Sequence, residues 1–200
     1  MLSYEESLKI LKETKALLEG HFILSSGLHS DQYIQCAKLL SYPDKASIIC
    51  KSLAEKIKKS FNNIDIILSP AIGGIVVGYE IGRQLNTQTI FSERIDGNLI
   101  LRRGFNIPSG SNVLIVEDVI TTGKSALECL KIIKEHDANL SGFACIIDRS
   151  DSTLLIKEKI VSQIKFKINL YNENNLPKKL QKIPSKKPGS RSLPKWVKLN

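Results

Sequence analysis

The chain reads as an α/β domain, with a central, mostly parallel sheet flanked by helices. Three observations carry that expectation. Val113 to Val116 is an unbroken apolar run and Leu140 to Ile147 nearly so, as in strands buried on both faces. The segments ending at Leu68 and Val116 each run through a glycine-containing loop into a helical stretch, half of a βαβ unit. Residues 69–74, 117–125 and 148–149, which hold the chemically useful side chains, all follow strands. Open parallel sheets bind ligands at those carboxyl ends.

The elements follow in order. Tyr4 to Leu18 has Leu8, Leu11 and Ala16 to Leu18 at near-helical spacing, and Gly20 reads as its stop. Residues 21–37 predict two short strands around a polar turn at 25–31. Lys45 to Lys59 predicts an amphipathic helix with Ile48, Ile49, Leu53 and Ile57 on one face. Ile64 to Leu68 is a short strand, Ser69 to Gly74 a loop and Ile75 to Leu85 a helix. Thr89 to Phe91 is a third strand. Ser92 to Ser111 is a long excursion with Leu99-Ile100-Leu101 as one arm of a hairpin, and long excursions in compact domains are usually functional. After the strand at Val113 come a helix over Ala126 to Glu135, the strand Leu140 to Ile147, and an edge strand over Ile164 to Leu170. The domain is expected to span 1–176.

The formal charge of +9 belongs to one end of the chain. Residues 177–200, rich in Pro and Lys, carry eight basic side chains and no acid; without them 21 basic residues face 20 acidic ones. That tail is expected to lie extended over the surface or to be mobile, a solvated, disordered end being the favoured reading. Its lysines could contact polyanions, but Trp196 is its one aromatic, so base stacking is poorly supplied and nucleic acid is not the favoured partner. No apolar stretch has membrane-spanning length, and the first residues lack the basic-then-apolar order of a signal peptide. Cys36, Cys50, Cys129 and Cys145 are scattered without metal-ligand spacing, which fits buried thiols in a reducing cytoplasm.

The informative stretch is Val113 to Ser125. The strand ends in Glu117 and Asp118. Val119 and Ile120 follow, and the turn Thr121-Thr122-Gly123-Lys124-Ser125 opens a helix. Free N–H groups of a first helical turn, with the positive end of the helix dipole, suit a phosphate. Two neighbouring carboxylates do not, so they point to ribose hydroxyls, a magnesium ion, or both. The ending Gly-Lys-Ser invites a triphosphate-binding P-loop, but that pattern needs a glycine where Asp118 stands. A carboxylate there would repel a triphosphate. A single phosphate held by the turn, with the acids on the sugar, fits better.

This stretch resembles the loop of type I phosphoribosyltransferases that binds 5-phosphoribosyl 1-diphosphate (PRPP). Gly20-His21-Phe22, Ser26-Gly27-Leu28-His29-Ser30, Tyr33, Asp148-Arg149 and Lys187-Pro188-Gly189-Ser190-Arg191 are similar to orotate phosphoribosyltransferases. The similarity covers about residues 18–149, with a shorter match in the tail. It implies a Rossmann-like type I phosphoribosyltransferase fold, its central, mostly parallel sheet flanked by helices and a small N-terminal hood from roughly residues 1–40, and a homodimer. It also implies magnesium-dependent transfer of ribose 5-phosphate from PRPP to orotate in pyrimidine synthesis, giving orotidine 5′-monophosphate and pyrophosphate. In its terms Thr121 to Ser125 hold the 5-phosphate and Glu117 and Asp118 the ribose hydroxyls, with Val119 and Ile120 between them. Ser69 to Gly74 border the pyrophosphate, Gly73 and Gly74 letting the backbone come close, and Thr121 and Arg149 contact orotate. Magnesium is held mainly through PRPP, with Asp118 the candidate protein ligand.

The resemblance is to a divergent branch. Where many relatives carry a mobile loop with lysines and a histidine, this chain has Ser92 to Phe105, and the turn at Ser25-Ser26 lacks a frequent lysine. Arg94 keeps one arginine's place. Arg102 and Arg103 are candidate charge donors, or else solvated hairpin residues. Two other functions are considered: an RNA-binding regulator on the same fold, and a transferase for another nucleobase. Against the latter, a neutral purine offers Arg149 no carboxylate.

Overall fold

The computed structural model describes residues 1–24 and 26–188. Its elements are helix α1 (Tyr4–Glu13), strands β1 (Leu17–Ile23) and β2 (His29–Ile34), and helices α2 (Cys36–Leu40) and α3 (Pro43–Ser60). Then come β3 (Ile66–Pro70), α4 (Gly73–Leu85), β4 (Gln88–Ile95), β5 (Asn98–Leu101), β6 (Asn112–Ile120) and α5 (Lys124–Glu135). β7 (Asn139–Asp148), β8 (Ile160–Lys165) and the short helix α6 (Lys178–Gln181) complete the order.

Six strands form the main sheet in the order β5-β4-β3-β6-β7-β8; all neighbours are parallel except the β4–β5 hairpin. Asp96 and Gly97, both at positive φ, make the tight turn of that hairpin. The crossover through α4 steps from β3 toward one edge, and that through α5 steps from β6 toward the other. β3 and β6 are therefore the switch point of the sheet, and the crevice at their carboxyl ends is where such a fold takes a ligand.

Alternation along the strands divides the core between two helical layers. Ile67, Leu114 and Val116 pack with Leu53, Val77 and Ile81 of α3 and α4. Ile66, Leu68, Val113 and Ile115 pack with Ala126, Ile132 and Ile133 of α5 on the opposite face. β1 and β2 form a separate antiparallel ribbon, the hood.

Several expected boundaries move. Helix α1 ends at Glu13, because Lys15 turns the backbone to φ 55° and Leu17 and Leu18 enter β1. Gly20 lies inside β1, beside a register shift between Glu19 and Phe22, and terminates no helix. β6 continues past its apolar run to Ile120, still paired with β7. The last strand is Ile160–Lys165, so residues 166–170 leave the sheet.

The beginning of the tail is folded onto the hood. Leu180 is buried, and Lys186 pairs with Phe22 of β1. Lys186 N–H donates to His21 O and Ile23 N–H donates to Lys186 O, both at 2.9 Å. His21 Nδ1 lies 2.9 Å from Ile183 O, which can only accept, so that nitrogen donates; its Nε2 faces His29 Nδ1 at 2.7 Å. Arg191, Lys195, Trp196 and Lys198 lie outside the described residues.

Candidate active site

The turn after β6 makes a small cup. Gly123 caps α5 at φ 77°, and a Cβ there would meet Ile156 Cγ1 at 2.6 Å, so both the backbone and the space call for glycine. Thr122 O accepts from Leu155 N–H at 2.9 Å, which fixes the turn from outside. Glu117 and Val119 to Ser125 line a cup of about 70 Å³ at the N-terminus of α5. First-turn N–H groups and the helix dipole favour an anion there.

Beside the cup a cleft of about 1330 Å³ opens between the hood and the sheet. Val119, Thr121 and Thr122 line both. Tyr33 of the hood and Arg149 from the end of β7 stand on the walls of the cleft. Two hydrogen bonds place Arg149: its N–H donates to Ile120 O at 2.8 Å, and Asp148 Oδ1 accepts from Ser150 N–H at 2.8 Å. Arg149 is thus in register with the end of β6. Its Nε is buried without a partner, and burial pulls its pKa down, opposed by Tyr33 and Cys36. A guanidinium held this way lacks a counter-charge, and an anion brought into the cleft would supply one.

Glu117 and Asp118 are half-buried at the end of β6. Burial, and then the Asp118 charge, push the Glu117 carboxyl up to about 8. Burial also raises Asp118, while the Val119 N–H, 2.8 Å from Oδ1, holds it down in part. A Cβ on Gly73 would lie 2.8 Å from Asp118 Oδ2, so this glycine leaves the room in which the carboxylate sits. Gly74 is packed against Ser69, Pro70 and Val116 O, each 3.2 Å from a Cβ built there. The Ala71–Ile72 peptide between β3 and this helix start is cis.

Loops 69–74 and 117–125 and Arg149 therefore share one end of the sheet. The hairpin arginines do not reach the cleft. Arg94 pairs with Glu128 at 2.6 Å, and Arg103 holds Glu93 through two nitrogens at 2.8 and 3.0 Å. Arg102 makes no side-chain hydrogen bond or ion pair among the described residues, and none of the three lines the cup or the cleft. Sequence reasoning missed Lys167 and Tyr171 as cleft residues. They follow β8 as it leaves the sheet, and no motif marks them.

The family described as "Phosphoribosyl transferase domain" matches residues 43–175. An orotate phosphoribosyltransferase of Methylorubrum populi is 48% identical over 96% of this chain and 98% of its own length. One from Caldicellulosiruptor saccharolyticus is 44% identical over 96% of this chain and 100% of its own. The crystal structure of orotate phosphoribosyltransferase from Aeropyrum pernix superimposes with a TM-score of 0.65 at 22% identity, covering 79% of this chain and 92% of that one. At that identity the superposition speaks to the fold alone.

Proposed function

The chain belongs to the orotate phosphoribosyltransferases, and from that premise we propose how its cup and cleft carry out the transfer of ribose 5-phosphate from PRPP to orotate. The cup takes the 5-phosphate on the N–H groups of Thr121 to Ser125. Glu117 and Asp118 accept hydrogen bonds from the ribose hydroxyls, fixing the sugar at the mouth of the cleft. The pyrophosphate lies toward Gly73 and Gly74, where the backbone comes close. Orotate enters the large cleft, its carboxylate on Arg149 and its ring beside Thr121. The bond from the anomeric carbon to pyrophosphate breaks and the bond to the base nitrogen forms. This chain contributes position and a fixed charge pattern to that exchange.

The observation that carries this reading is the Arg149 Nε, buried without a partner at the wall of a cleft that shares its floor with a phosphate-sized cup. Magnesium fits as an ion brought with PRPP: the two carboxylates at the end of β6, both raised by burial, gain from a nearby cation. Bound there, it would neutralise the departing pyrophosphate, with Asp118 as its protein donor. A homodimer is supported by the start of α4, where Ile72, which caps the helix, and Val76 and Tyr79 within it are 86%, 50% and 68% exposed. The four free, buried cysteines suit a reducing cytoplasm.

The test follows orotate absorbance with PRPP and magnesium, with uracil and adenine as control bases. Orotate is expected to be consumed and the controls not, and Arg149→Gln to raise KM for orotate with little change in KM for PRPP. Turnover of a control base without turnover of orotate would overturn the substrate assignment.

A further inference from the structure

We propose that Lys187, carried by the segment after α6, binds the carboxylate of the base together with Arg149, so that the C-terminal segment forms part of the base site. This rests on the reading that orotate occupies the cleft.

The hood residues on the cleft wall, from Ile23 to Leu28, include no cationic residue. Lys187 lines the same cleft and is exposed to it. Its backbone is anchored from the N-terminal side. Lys186 is hydrogen-bonded in both directions to β1 at 2.9 Å, and the segment is further held by the buried Leu180 and the bond from His21 Nδ1 to Ile183 O. Pro188 follows, and a residue before proline is confined to extended conformations. A strand-like backbone turns successive side chains to opposite sides, and Lys187 lines the cleft where Lys186 does not. Lys167 also lines the cleft, but its neighbour Phe166 makes one backbone hydrogen bond there, to Asp148 O at 2.8 Å, where Lys186 makes two. Lys187 is thus a cation held on the hood side of the cleft that Arg149 also lines. A carboxylate has two oxygens with lone pairs on both sides, and it can accept from a guanidinium and an ammonium at once.

The experiment measures kcat and both KM values for Lys187→Ala, Lys187→Arg and the neighbour Lys186→Ala. Losing one charged hydrogen bond is expected to raise KM for orotate roughly 10- to 100-fold in Lys187→Ala, with kcat within about threefold. Lys187→Arg should recover most of that loss, and Lys186→Ala should match the unaltered protein. An unchanged orotate KM in Lys187→Ala would overturn the proposal. So would a rise in KM for PRPP alone, which would place the lysine on a phosphate, or an equal effect in Lys186→Ala. If the unaltered protein fails to consume orotate, the functional reading itself falls, and this inference with it.

Discussion

Glu117→Gln should make the protein more stable, and by an amount that depends on pH. In the unfolded chain Glu117 titrates near 4.5, whereas burial and the Asp118 charge lift it to about 8 in the folded protein. Below the lower value both states hold the proton, and the side chain resembles the glutamine that would replace it. Between the two values the unfolded chain releases its proton and the folded chain keeps it. Stability therefore falls by about 1.4 kcal/mol per pH unit. Over the whole interval the loss comes to about 5 kcal/mol, a large share of the stability of an ordinary domain. Above about pH 8 both states are ionised and the loss is constant. Urea unfolding of both proteins between about pH 5 and pH 9 reads the combined change at Glu117 and the groups coupled to it, Asp118 first. The margin in favour of Glu117→Gln should widen with pH up to about 8 and then level off. Parallel stability curves across that range would refute the reasoning. The same variant should bind PRPP more weakly, since an amide is a poorer partner than a carboxylate for two ribose hydroxyls.

Three further outcomes are expected. Gly73→Ala pushes a Cβ to 2.8 Å from the Asp118 carboxylate, so KM for PRPP should rise about tenfold or more while the melting temperature of this exposed position barely moves. Gly82→Ala does the reverse. Its Cβ would lie 2.0 Å from Thr89 Oγ1 and 2.8 Å from Thr87 O, and calorimetry should show a loss of about 1–3 kcal/mol with KM unchanged. All four thiols are buried and their pKa values raised, those of Cys50 and Cys129 to about 12, so a thiol reagent near pH 8 should label the native protein only slowly and the denatured protein fully. Rapid stoichiometric labelling of the native protein would contradict that burial.

The parts of the fold legible in the sequence are those where one pattern has one cause. Val113 to Val116 is apolar without a break because β6 lies between two strands and two helical layers. The turn at Thr121 to Ser125 reads as a helix start because its glycine and hydroxyl residues have few other uses. Patterns fail where a backbone ladder outlasts its apolar side chains, as from Glu117 to Ile120, or where apolar spacing suits two structures, as at Leu17 and Leu18. α2 spans five residues, too few for a helical period to show. The folded part of the tail was hidden for another reason. Leu180 and Ile183 stand singly among lysines and prolines, and their partners lie far back in the chain.

That distance has a consequence for how the protein comes into being. His21 and the carbonyl it holds at Ile183 are 162 positions apart. At about 5–20 residues per second, a ribosome needs roughly 8 to 32 s to make the stretch between them. The members of the phosphate cup, up to the Ile156 that backs Gly123, are made before its end. β1 therefore lacks the partner of His21 O and of the Ile23 N–H until Lys186 has been made.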